Sequence, residues 1–496
     1  MSIPHPRSVI SSVPGGCGFS SGKPSWFTRG SIAGICLLGG SALFPQAALA
    51  HGIVGKADLP IPVWLFSWAA AIVLVVSFVA LSSLWRTPQL QSERLRRAFR
   101  LPTRLEPLVN LIGLALFALV IYSGFAGAQE ANANFSVTFI YVVFWVGLPL
   151  LSALFGDIFR VLSPWRSCAR VLHWTGRQIA PKAFAEPLAR YPQQLGMWPA
   201  VVGLVGFGWL ELVYLYRDVP CTLAALSAGY FLLMVAGMTV FGVEEWGSHA
   251  DGFAAYFNII SRLSPIEYRQ GVVYLRRPLS GITGLQIQPG TIALICTIIG
   301  TTTFDGLSNG GYWKELAASL VTGLADLGCH QVLAVELVFT FGLLSCIALV
   351  AGIYRLGVMG LRTVSTRYST RNLASGFAHT LVPIGFAYVL AHYFSFIIWQ
   401  GQAMGYLISD PLGNGANLLG TAGSQINYKI ISYAAIWYVQ VAALLLGHVG
   451  GLVLAHDKAL TIYRNVEEAV RSQYWMLAVM VAFTSFGLWL LSAVGT

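Results

Sequence analysis

The chain has 496 residues but only 20 Asp and Glu and nine His, and a few of these interrupt long apolar runs. Glu211 stands in Trp209-Leu210-Glu211-Leu212-Val213-Tyr214, Asp305 in Thr302-Thr303-Phe304-Asp305-Gly306-Leu307, and His392 in Ala391-His392-Tyr393-Phe394-Ser395. Glu336, His379 and His448 occupy three further runs, and His456-Asp457 follows His448 by about two helical turns. A charge buried in a bilayer costs about 2.5 to 3.5 kcal/mol on insertion scales, so each of these residues is a functional candidate by position alone. Carboxylate and imidazole together make a general base for water, a ligand set for Zn, Mn or Fe, or a path for protons.

The elements that must hold these groups follow from composition. Hydrophobic residues make up 56% of the chain and charged residues 10%, with a mean hydropathy of +0.68. Soluble domains average roughly 25% charged residues, so an ordinary globular enzyme is excluded, and an aromatic content of 13% excludes a solvated, disordered chain. The sequence reads as an all-α, polytopic transmembrane helix bundle. Residues 1–50 read as a signal peptide, with Arg7, Lys23 and Arg29 before the apolar run Ile32 to Phe44 and Ala48-Leu49-Ala50 as the cleavage site. Residues 51–496 then form a single transmembrane helical domain. Its ten candidate spans are Val63 to Trp85, Leu108 to Ala126, Val137 to Phe159, Trp198 to Tyr216, Leu223 to Gly242, Thr291 to Phe304, Val332 to Tyr354, Ala374 to Ile398, Ile430 to Ala455 and Tyr474 to Val494.

Nearly all the cations fall in alternate loops, among them Arg86 to Arg104, Arg160 to Arg190, Arg262 to Arg277, Arg355 to Arg371 and Lys458 to Arg471. That asymmetry predicts a bacterial cytoplasmic membrane protein with those loops inside and both mature termini on the outer, periplasmic side. The net charge of +10 therefore encodes orientation and not a nucleic-acid partner; the partners implied are the lipid bilayer and an apolar small molecule. Tyr312 to Leu327 reads as a short amphipathic helix, and Cys221 with Cys329 as an outer-face disulfide. Glu244 to Phe253 reads as a solvated loop that balances nearby arginines, and Gln400 to Asn417 as a Gly-rich lid.

Depth along the spans groups the ionisable residues. Glu211, Asp305, Glu336 and His392 approach the outer leaflet, whereas His379, His448 and His456 form an inner line. For the outer group we expect Asp305, Glu336 and His392 as ligands to a divalent metal, with Glu211, Asp305 and His392 carrying the catalysis; His379 and His448 are a second metal site. A mature His51 would pair an α-amine with an imidazole, a chelate suited to copper. No Walker loop, nucleophile elbow, dinucleotide fingerprint or haem-attachment motif is present.

Longer strings carry a resemblance. Val54-Gly55-Lys56-Ala57-Asp58-Leu59-Pro60-Ile61-Pro62-Val63-Trp64-Leu65-Phe66, Thr303-Phe304-Asp305-Gly306, Ala378-His379-Thr380-Leu381-Val382-Pro383-Ile384, Ala391-His392-Tyr393-Phe394-Ser395 and Gly447-His448 through Ala455-His456-Asp457 resemble a bacterial integral membrane family known as fenitrothion hydrolase, which is unrelated to the soluble phosphotriesterases. The resemblance implies hydrolysis of an organophosphorus triester with release of a nitrophenol; it assigns no catalytic residue and no metal. Two other readings stand beside it: a multi-span transporter or permease, from His and carboxylate groups at several depths, and a copper-handling membrane protein, from His51.

Overall fold

The computed structural model describes residues 63–91, 94–102, 104–182, 186–364 and 367–493. The expected signal peptide and His51 lie outside the described residues.

An apolar run of about 20 residues can satisfy its own backbone inside lipid only as a helix, and eight of the described helices are long and apolar enough to cross a membrane. In chain order the first three are α1 (Val63–Leu84), α2 (Leu105–Ala126) and α3 (Phe135–Phe155). Two helices that are not among the eight, α4 (Pro164–Ile179) and α5 (Trp198–Leu212), precede α6 (Pro220–Phe241). The short α7 (Val243–His249) and α8 (Gly252–Ser261) precede α9 (Thr291–Ser308). Then come α10 (Gly311–Asp326), α11 (Gln331–Leu361), the segment Thr370–Leu407 with its main helix α12 (Leu381–Gln400), and α13 (Tyr433–Ile462). The helix α14 (Val466–Ala493) closes the described chain. The protein is thus an all-α, polytopic helix bundle, and α10 forms where a short helix was expected.

Of the ten expected spans, the fourth departs most. Its helix α5 ends at Leu212 after 15 residues, about 22 Å of helix against a hydrocarbon core of about 30 Å. The chain then turns through Tyr214 to Tyr216, which leaves Glu211 in the last turn, inside the bundle. The tenth run lies within the 28-residue α14.

Close helix contacts depend on small residues, as expected where lipid competes for apolar surface. α13 packs along α12, with Gly447 and Gly451 facing it; a Cβ on Gly447 would come within 2.7 Å of the Pro383 carbonyl oxygen, and one on Gly451 within 2.9 Å of that of Thr380. α9 lies between α5, α11 and α12 and is buried over most of its length, the opposite of a lipid-facing span.

Two features of the arginine-rich end were not expected. One is a three-stranded antiparallel sheet of β1 (Arg96–Arg100), β2 (Ile266–Arg269) and β3 (Val272–Leu275), in the order β1-β3-β2. Its β2–β3 hairpin turns through Gln270 and Gly271, both at positive φ (48° and 77°), as a two-residue hairpin turn requires. The other is α8, an apolar helix buried against α3 and α5, which begins at the end of the stretch read as solvated loop. The expected charge balance holds for Glu244, which pairs with Arg160 and Arg166, although it lies in α7 and not in a loop. It fails for Asp251, which is fully buried, caps α8 through the backbone N–H of Phe253 and Ala254, and accepts from Trp165 Nε1 and the Tyr230 hydroxyl. Burial pushes the Asp251 carboxyl above the usual range, and these hydrogen bonds act against that push. The expected Cys221–Cys329 disulfide is not formed, because Cys329 is a free thiol.

Candidate active site

Asp305 lies in the last turn of α9, and His392 and Tyr393 lie midway along α12. The two helices approach closely at Gly385, where a Cβ would come within 3.2 Å of Ile299 Cγ1. The approach brings His392 Nε2 to 2.8 Å from Asp305 Oδ2, and the Tyr393 hydroxyl donates to the same oxygen, also at 2.8 Å. None of the three residues is more than 5% exposed. An ionised carboxylate that accepts from both assigns the Nε2–H tautomer to His392, which leaves the lone pair on Nδ1. Nδ1 makes no hydrogen bond to a described residue. The arrangement is therefore an oriented imidazole with a free basic nitrogen, anchored by a buried carboxylate.

Glu211 reaches the same region from α5. Gly208, one turn earlier, lies against Thr301 of α9, and a Cβ there would meet Thr301 Cγ2 at 2.8 Å; the missing side chain lets the two helices close. Glu211 is buried and within electrostatic range of Asp305, with Arg217 as the opposing positive charge. Opposite it, α3 is π-helical from Phe139 to Gly147, a widened winding often found at functional sites. This winding turns Tyr141 and Trp145 inward. The Tyr141 hydroxyl donates to the Arg217 carbonyl at 2.9 Å, and the buried Trp145 indole stands near Glu211 and Tyr393. Trp145 Nε1 is a buried donor without a hydrogen-bond partner among the described residues. A fourth helix, α8, adds Tyr256, whose ring lies 5.3 Å from that of Trp145.

The remaining expected residues do not join. Glu336 is only half-buried on α11, and its carboxylate hydrogen-bonds no described residue; its backbone carbonyl accepts from Thr340 Oγ1. Among the described residues, no group of three His, Cys, Asp or Glu side chains is placed to hold one metal ion. Among the described residues, Glu336 is not grouped with Asp305 and His392, and it stands on a different helix, α11. His379 and His448 do not bond each other. His448 Nδ1 is 2.7 Å from the Leu444 carbonyl of its own helix, and its Nε2, like that of His379, has no partner among the described residues.

His456 belongs to the scaffold and not to an inner line of chemistry. Its Nε2 lies 2.9 Å from the Trp85 carbonyl, and its Nδ1 faces Gln473 Nε2 at 3.2 Å. Beside it, Asp457 accepts from Trp85 Nε1 at 3.0 Å, the Gln89 backbone N–H at 2.6 Å and Gln91 Nε2 at 2.8 Å. The pair fastens the connection after α1 to α13. The loop expected to form a lid is likewise tied down, through Ala128 N–H to the Leu412 carbonyl and Phe135 N–H to that of Pro411.

No protein-family model, curated protein or solved structure matches this chain. The fold and the site therefore define a class only: a polytopic helical membrane protein with a buried carboxylate–imidazole–phenol cluster. Tyr393, Trp145 and Tyr141 went unrecognised in the sequence because a Tyr or Trp in an apolar run resembles core or interfacial packing. The signal available was the adjacency of Tyr393 to His392.

Proposed function

We propose that the protein is a membrane-embedded hydrolase of apolar organophosphorus triesters, in which the Asp305–His392 pair is the general base. The observation that carries this reading is the buried Asp305–His392 hydrogen bond with Nδ1 of His392 left free; the resemblance of the surrounding strings to the fenitrothion hydrolase family supplies the substrate class. In the reaction, a water O–H proton passes to His392 Nδ1 while the water oxygen forms a bond to phosphorus. The phosphorus to aryloxy bond breaks, and the nitrophenolate leaves with its electron pair. Asp305 holds the imidazole in its tautomer and stabilises the imidazolium that forms, and Tyr393 fixes the carboxylate. The Trp145 indole N–H is a donor for the oxygen or sulfur on which charge develops. A divalent ion such as Zn, Mn or Fe, held by the Asp305 and Glu211 carboxylates, would supply Lewis acidity at that atom and leave His392 Nδ1 to act as the base. Apolar triesters concentrate in lipid, so a site within the bundle meets its substrate from the bilayer. We take the arginine-rich end as cytoplasmic, in a bacterial inner membrane.

A second reading is favoured by one observation: Glu211 and Asp305 are two carboxylates buried within electrostatic range of each other, as in proton-coupled transporters. Purified protein in proteoliposomes, given fenitrothion, separates the two. Nitrophenol release with one solvent oxygen incorporated into the phosphorus product supports hydrolysis; accumulation of intact solute under a proton gradient, without release, supports transport and overturns the hydrolase reading.

A further inference from the structure

At the arginine-rich end, the three-stranded sheet, the start of α2, the turn at Arg160 and the middle of α4 line a basin of about 870 Å³. Its walls carry Arg97 and Arg100 of β1, Arg160, Arg170 of α4 and Arg269 of β2, with Glu106 the single lining carboxylate. Nearby acids are already engaged. Glu244 pairs with Arg160 at 3.1 Å and also with Arg166, Glu106 pairs with Arg170 at 3.0 Å, and Glu267 is shared between Arg269 and Arg276. Arg97 and Arg100 have no ion pair among the described residues. The β-bulge between Arg97 and Phe99 resets the alternation of the strand, so that both arginines line the same basin.

A separate feature sets the depth of this basin. α4 is amphipathic: Arg166, Arg170 and Arg177 share one face, Val171 and Ile179 away from it are 61% and 80% exposed, and Trp174, 64% exposed, flanks the arginines. A helix with an exposed apolar face and a cationic one lies in the plane of the headgroups, and Arg170 on its cationic side opens into the basin. Guanidinium groups match phosphate oxygens in paired hydrogen bonds, and basic pockets beside membrane helices attract anionic headgroups.

We propose that this basin binds the phosphate of an anionic phospholipid headgroup, with Arg97 and Arg100 as the principal contacts. A soluble phosphate ester shares the chemistry, so the test carries both. Native mass spectrometry of the detergent-purified full chain, titrated with phosphatidylglycerol, should show saturable binding that phosphatidylcholine does not reproduce and that glycerol phosphate matches only at far higher concentration. The double variant R97Q/R100Q should weaken phosphatidylglycerol binding by about thirtyfold, while R94Q/R96Q, which removes the same charge outside the basin, should change it less than about threefold. Equal loss in the two double variants would assign the attraction to bulk charge and overturn the site. Equal binding of phosphatidylcholine by the wild type overturns it without any variant, and glycerol phosphate as tight as the lipid would assign the basin to a soluble ligand instead.

Discussion

Each side chain at the site is set by the partner that already claims it. Asp305 accepts from His392 and Tyr393 at one oxygen, both at 2.8 Å, so Tyr393→Phe removes one hydrogen bond to a buried carboxylate and leaves the imidazole in place. A hydrogen bond to a charged group is worth about 1.5 to 3 kcal/mol. If half of that is felt in the transition state, turnover should fall by about 4- to 12-fold with little change in KM, as steady-state rates in proteoliposomes will show. Glu336→Gln is expected to leave turnover within about twofold of wild type, because that carboxylate bonds nothing described at the site; a large loss would restore Glu336 to the site. Asp305 and His392 were legible in the sequence because an ionisable residue in an apolar run stands out on cost alone. The role of His456 was not, because depth along a helix does not reveal that a backbone carbonyl and Gln473 already occupy its imidazole.

Helices position these groups through close contacts that leave no room for a methyl group. Gly447 is the tightest of those on α13: a Cβ there would sit 2.2 Å from Ala387 Cβ and 2.7 Å from the Pro383 carbonyl oxygen. Gly447→Ala must push α12 away, at a cost of about 1 to 3 kcal/mol, and α12 carries His392. Thermal unfolding in detergent should shift downward, and turnover should fall although position 447 touches no substrate. Asp457→Asn tests the scaffold separately. It keeps the shape but weakens the hydrogen bonds from Trp85, Gln89 and Gln91, so we expect lower thermal stability with the rate per folded molecule nearly intact. The sequence made the long helices legible because their apolar length is the signal itself. The short α5 and the buried α8 were not, since helices enclosed by other helices need neither full membrane length nor a lipid-facing composition. The π-helical turn of α3 was equally invisible, because its residues, Phe139 to Gly147, are as apolar as those of any span.

At the scale of the whole molecule, the bundle presents a cationic end and buries Glu211, Asp251, Asp305 and Asp457 together with His379, His392, His448 and His456. The cationic end was read from the sequence as an address alone; the sheet and the basin it encloses depend on pairing between Arg96–Arg100 and Val272–Leu275, which lie far apart in the chain and are brought together only by the fold. The convergence of α5, α9 and α12 on one buried cluster depends likewise on packing that no single run encodes. Extended chelation with EDTA followed by dialysis should leave at least half of the turnover if His392 acts as the base unaided; complete loss, restored by Zn, Mn or Fe, would assign the Lewis acid a required part. In the proposed mechanism, the imidazole anchored by Asp305 draws the proton from water. Nitrophenol release from fenitrothion by wild-type and His392→Ala protein, inserted into proteoliposomes at equal folded amounts, tests it most directly. The general-base account predicts a loss of about 10² to 10⁴-fold in the variant, and a variant that hydrolyses at the wild-type rate would contradict it.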